Sequence, residues 1–106
     1  MIMMEEKNLE TVMQLIIHSG NAKSYAMEAI HVVKEGKKEL AFEKLKEAEK
    51  TIVEAHRYQT EMLTKEASGE KTDVSLLVVH SQDHLMTAIN FIELAKEIVT
   101  LYDKLD

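Results

Sequence analysis

The chain has 106 residues, 45% of them hydrophobic and 30% charged, and 13 Lys/Arg against 19 Asp/Glu give a formal charge of −6. That length fits one compact domain, 1–106, and the composition is too apolar for a disordered chain and too polar for a membrane protein. With no Cys there are no disulfides, thiolate nucleophiles or cysteine metal sites, and the acidic balance argues against nucleic acid as a partner.

The chain contains no Pro and only three Gly, so nothing forbids long helices and an all-α fold is expected. The opening Met1-Ile2-Met3-Met4-Glu5-Glu6 lacks the basic and apolar regions of a secretory signal. The longest purely apolar run, Leu76-Leu77-Val78-Val79, falls far short of the roughly 20 residues that span a bilayer. The expectation is a cytoplasmic protein with no membrane insertion.

Glycine-bearing breaks at Glu35-Gly36-Lys37-Lys38 and Ala67-Ser68-Gly69-Glu70-Lys71-Thr72 divide the chain into three helical segments. The first, about 5–35, places Leu9, Val12, Met13, Ile16, Ala26, Met27, Ile30 and Val33 on one stripe. Gly20-Asn21 interrupts it, which points to a close helix contact or a bend. The second, about 38–66, repeats Ala41, Leu45, Ala48, Ile52, Ala55, Gln59 and Met62 in a narrow seam, with mixed charge elsewhere.

The third segment, about 74–105, has Thr72 or Asp73 as its expected N-cap. It carries two stripes: Val74, Val78, Leu85, Ala88, Ile92, Ala95, Val99 and Tyr102, and then Leu77, Phe91, Leu94, Ile98, Leu101 and Leu105. One stripe suffices for two partner helices, so the second predicts self-association. Short connections make sequential helices antiparallel. The predicted architecture is therefore an antiparallel up-down-up three-helix bundle that oligomerises chiefly through its third helix.

The unusual feature is Val78-Val79-His80-Ser81-Gln82-Asp83-His84-Leu85-Met86, three ionisable groups inside the most apolar helix. His80 and His84 lie one turn apart on the face of Leu77 and Phe91, and Asp83 is turned away by about 100°. An unpaired buried ion costs several kcal/mol or more, so Asp83 must be solvated, protonated, paired or bound to a cation.

Three readings of this cluster stand open. The imidazoles are boundary residues with local hydrogen bonds; or His-x-x-Asp-His is a shortened version of the His-x-x-Glu-His zinc hydrolase pattern, although no third protein ligand is evident; or one histidine is a nucleophile that carries a phosphoryl group. A neutral imidazole is competent for the last role at neutral pH, and phosphoryl transfer asks mainly for positioning and charge stabilisation.

The residues then become specific. Val79-His80-Ser81-Gln82-Asp83-His84-Leu85-Met86-Thr87 resembles the phosphorylation motif V-H-A-Q-D-H-L-M of the lactose/cellobiose-specific enzyme IIA subunits of the bacterial sugar phosphotransferase system. Gly20-Asn21-Ala22-Lys23-Ser24 with Met27-Glu28-Ala29, and Ala55-His56 with Gln59-Thr60, resemble that family's G-N-A-R-S, M-E-A and A-H-x-x-Q-T. The resemblance runs in one register from about Leu15 to Tyr102.

It implies a homotrimeric phosphocarrier whose His80 is phosphorylated by HPr and passes the group to a cognate enzyme IIB, for uptake of a β-disaccharide of cellobiose, chitobiose or lactose type. It further implies that Ser81, Gln82 and His84 support or border the site. Asp83 from three subunits would meet one divalent cation on the threefold axis, and Mg2+ suits such an oxygen-only site. Two positions depart from the pattern. Ser81 stands where Ala is usual, and its hydroxyl either bonds a phosphoryl oxygen or bonds back to its own helix; Lys23 replaces Arg, which affects only bidentate anion contacts. His18 and His31 read as boundary side chains, and His56 and Gln59 as packing or polar seam residues. The alternative from another functional class is a non-catalytic helical interaction module.

Overall fold

The structure is a computed structural model and describes residues 6–105, apart from the side chain of Lys7. Three helices make up the fold: α1 (Glu6–Lys34), α2 (Lys38–Ala67) and α3 (Leu76–Leu105). The expected start at Glu5 and the chain ends of the 1–106 domain lie outside the described residues. At 1.5 Å per residue each helix is about 45 Å long, in keeping with extents of 57 × 23 × 16 Å.

Two glycines end the first two helices by the same chemistry. Gly36 has φ of 84° and Gly69 of 102°, the left-handed region open to a residue without Cβ. In each case the glycine N–H and the next N–H return to the last turn. Gly36 donates to Val33 O and Lys37 to Val32 O, both at 3.0 Å, and Gly69 donates to Glu66 O and Glu70 to Lys65 O, both at 3.1 Å. This double closure is the Schellman motif, and it satisfies carbonyls that the helix end would leave bare.

The start of α3 differs from the expectation. The helix begins at Leu76 rather than Val74, and its cap is Ser75, not Thr72 or Asp73. Ser75 Oγ accepts the Val78 N–H at 3.2 Å, and the Ser75 carbonyl accepts from Val79 at 3.0 Å. Thr72, Asp73 and Ser75 are all chemically able to cap, and the helix takes the one nearest the apolar face it buries.

Alanine dominates the core. Ala22, Ala26, Ala29, Ala41, Ala48, Ala55, Ala88 and Ala95 are buried, interleaved with Val12, Leu15, Val33, Leu45, Val78, Leu85, Ile92 and Val99. Small residues let helix axes approach toward the 8 Å end of the usual range. The α2 seam packs as its spacing predicts, with Ile52, Gln59 and Met62 half-buried. On α3 the first stripe is buried between Val78 and Val99, while Val74 and Tyr102 at its ends are exposed.

The α1 stripe holds in part. Val12, Ala26 and Val33 are buried as expected and Leu15, Ser19, Ala22 and Ala29 join them, whereas Leu9, Met13 and Met27 are exposed, because this helix is apolar on two faces and the narrower, alanine-lined one fits its neighbours. Ser19 is buried with no partner for its Oγ.

Contacts along the helices fix their order. Lys38 at the start of α2 reaches Asp103 near the end of α3, with Nζ 3.4 Å from Oδ1 and 3.3 Å from the carbonyl oxygen. Lys96 of α3 pairs with Glu49 of α2, and Gln82 near the start of α3 meets Gln59 late in α2. Between α1 and α2, Glu28 pairs with Lys44 at 3.4 Å, and His18 packs on Tyr58.

Candidate functional site

The site is built on the second and third turns of α3. With 100° of rotation per residue, Ser81 points into the core, Asp83 points away from it, His80 and His84 share one flank, and Gln82 takes the other. Burial follows this order: Ser81 is buried, Gln82 and His84 are half-buried, and His80 and Asp83 are exposed.

The two imidazoles stack. Their ring centroids are 5.5 Å apart and their planes 26° apart, as i and i+4 side chains on one helix face allow. The outer ring, His80, is open to solvent, and the inner ring, His84, lies toward α1, where its Nε2 stands 3.4 Å from the position a Cβ would take on Gly20. One turn further along α1, the Lys23 ammonium sits 5.5 Å from the centre of the Phe91 ring, a cation–π contact that occupies this lysine on the same flank. Gly20 therefore marks a close contact, and α1 continues through it as helix.

Ser81 and Gln82 face elsewhere. Ser81 Oγ donates to Val78 O at 2.6 Å, so of the two uses open to this hydroxyl it makes the bond within its own helix. Gln82 Oε1 accepts from Gln59 Nε2 at 2.7 Å, and Gln82 Nε2 lies 3.4 Å from Ser81 Oγ and 3.7 Å from Met62 Sδ. Within one chain, Gln82 ties α3 to α2 on the flank away from His80. Gln59 belongs to this polar tie, a pairing set by interhelical register and invisible in either helix's own periodicity.

Asp83 shares the outer face of α3 with Leu76, Leu94 and Leu101, which lie seven, eleven and eighteen residues away in sequence. Leu94 and Leu101 are 64% and 57% exposed, and Val79 and Met86 beside them are half exposed, so a carboxylate stands in an apolar surface that the chain itself leaves uncovered. Among the described residues no group of three or more His, Cys, Asp or Glu side chains is placed to hold a metal ion. One chain thus offers a cation a single carboxylate here. Of the other histidines, His18 donates from Nδ1 to Gln14 O at 2.8 Å and packs 5.6 Å from Tyr58, and His31 and His56 are exposed.

Chemically, this arrangement presents one accessible imidazole, backed by a second, on a helix rimmed with Leu, Met and Val. Such a ring can act as a nucleophile toward an electrophile brought by another macromolecule.

Over residues 10–103 the chain matches the family described as "PTS system, Lactose/Cellobiose specific IIA subunit", and it belongs to that family. It is a phosphotransferase-system IIA component of lactose/cellobiose type, and components of this kind are phosphotransfer proteins. Among relatives, the lichenan-specific phosphotransferase enzyme IIA component of Bacillus subtilis is 47% identical, over 96% of this chain and 93% of that protein. The crystal structure of the cellobiose-specific enzyme IIA from Bacillus anthracis superposes with a TM-score of 0.92 at 50% identity, covering 97% of this chain and 94% of that one. The Escherichia coli IIA(chitobiose) chain solved in complex with HPr superposes with a TM-score of 0.78 at 38% identity, covering 95% and 98%. No helix of the described residues is long and apolar enough to cross a membrane.

Proposed function

We propose that the chain accepts a phosphoryl group on His80 from HPr and passes it to the cysteine of a cognate enzyme IIB, in a system that takes up a β-disaccharide. The observation that carries this reading is the stacked pair itself, with His80 open to a visiting protein and His84 behind it. In the first step a His80 ring nitrogen attacks the phosphorus of phospho-HPr. The donor's N–P bond breaks as the new one forms, and the electron pair returns to the donor imidazole. In the second step a thiolate of enzyme IIB attacks the same phosphorus and His80 leaves with its pair. The apolar rim gives both partners a surface to dock on and keeps water from the N–P bond. The solved complex of a IIA(chitobiose) chain with HPr supports HPr as the donor.

The same reading makes the protein a cytoplasmic homotrimer of up-down-up bundles, with the outer faces of α3 meeting at a threefold axis. The exposed leucines around Asp83 support it. Three like charges brought together need a counter-ion. Asp83 of each subunit would hold one Mg2+, whose charge would offset the three carboxylates.

Incubation with phosphoenolpyruvate, enzyme I and HPr tests the acceptor. Acid-labile, alkali-stable label is expected on the wild type and none on His80→Gln with helical content unchanged, and label that persists in the variant overturns the assignment. For the axial ion, sedimentation of the wild-type trimer is expected to be sensitive to chelator and that of Asp83→Asn to be insensitive. A trimer equally cohesive with and without chelator in both proteins removes the metal from the proposal.

A further inference from the structure

Gly20 sits in the middle of α1, where the backbone gives no reason for a glycine. Among the described residues only Gly36 and Gly69 have positive φ, so any L-residue could adopt the conformation at position 20. Nor is it there for a close approach of helix backbones, because outside its own helix a Cβ at this position meets within 4 Å one atom alone, His84 Nε2 at 3.4 Å. That distance is ordinary contact between carbon and nitrogen. A methyl group would touch the ring, and a β-branched side chain would crowd it further. The vacancy above Gly20 is thus matched to an imidazole edge, and the ring that fills it is the one stacked on His80.

We propose that Gly20 is a positioning residue for His80 and acts through His84, a proposal that rests on the reading of His80 as the phosphoryl acceptor. The α1 backbone at Gly20 forms a wall against which the His84 ring is seated. The seated ring presents its face to His80, 5.5 Å away, and limits the rotamers of a side chain that would otherwise swing freely at an exposed position. A nucleophile held in line with the incoming phosphorus reacts faster than one that must be caught in a productive rotamer, and misplacement of about 1 Å can cost up to roughly a hundredfold.

The test is a graded series at position 20, read by phosphoryl transfer from HPr and by the imidazole proton signals in NMR spectra. Gly20→Val is the decisive variant, since valine and glycine both lie in the lower range of helix formers and the bundle is expected to keep its helical content. The expected result is a fall in kcat of tenfold or more with KM for HPr within twofold. The His80 and His84 ring protons should at the same time lose the shielding each ring gives the other. Gly20→Ala, whose methyl group just touches, is expected to keep wild-type transfer and ring signals while raising the melting temperature. In a His84→Gln background, Gly20→Val is expected to cause no further loss.

Wild-type ring signals and rate in Gly20→Val overturn the proposal, and so does a valine penalty undiminished in the His84→Gln background. Absence of label on the wild-type chain would instead defeat the acceptor reading, and the ring signals then decide by themselves whether Gly20 seats His84.

Discussion

The two faces of α3 differ in both size and burial of their apolar residues. The inward face is Val78, Ser81, Leu85, Ala88, Ile92, Ala95 and Val99, all buried and mostly small. The outward face is Leu76, Leu94, Leu101 and Leu105, all large and exposed, with Asp83 among them. A chain optimised to be stable by itself would do the reverse, since burying a leucine is worth more than burying an alanine. The difference teaches that the bundle closes on close helix approach and holds its bulkier apolar groups for contacts with other chains.

The largest effect that would break this contrast is on the inward side. Leu85 is fully buried, and Leu85→Ala is expected to cost about 2–5 kcal/mol, read by urea unfolding, because Leu15, Ile52, Tyr58 and Met62 packed around it relax only partly into the void. An outcome below 1 kcal/mol would mean that the helices collapse into the space. On the outward side, the double change Leu94→Lys and Leu101→Lys is expected to leave the fold of a single chain within about 0.5 kcal/mol. It should weaken self-association by at least tenfold in sedimentation equilibrium, and association unchanged from wild type would place the interface elsewhere.

The smallest effect sharpens the comparison at the edge between the faces, where Lys96 is paired with Glu49 and lies 3.6 Å from Glu93. The hydrogen bond to the Glu49 carboxylate raises the ammonium pKa above its ordinary 10.5, against partial desolvation, which lowers it. A raised folded-state value means that the pair's contribution is fully present below 10.5 and is lost as pH climbs through the folded value. Both partners are more than a third exposed, so screening keeps the contribution to about 0.5 kcal/mol or less. Thermal melts of wild type and Glu49→Gln are expected to differ slightly at neutral pH and to converge as pH climbs past the raised Lys96 value, whereas a gap constant with pH would exclude the ion pair as its source.

Much of this was legible in the chain. The two glycine stops were plain because left-handed closure has few other solutions, and the α2 seam was plain because only one face of that helix is apolar. The α1 core was legible only in part: Val12, Ala26 and Val33 are buried as their spacing predicted, but Leu9 and Met13 compete with Leu15 and Ser19 at the same period and only neighbouring helices decide between them. In the site, the i, i+4 spacing of His80 and His84 predicted a shared face. The Gln59–Gln82 bond and the seat of His84 over Gly20 depend on how far one helix slides along another, which no single-helix pattern records.

The connections between helices are unequal, and this bears on how the chain can be re-engineered. The turn at Gly36 is a few residues long and closed by backbone bonds to Val32 and Val33, so extra residues there would break the helix stop. The stretch at 70–73, by contrast, is neither helix nor turn and is largely solvated. Lengthening such a span costs only about 0.6 kcal/mol per doubling. It is where a reporter peptide could be spliced in, with Ser75 still in place to cap the helix that carries His80.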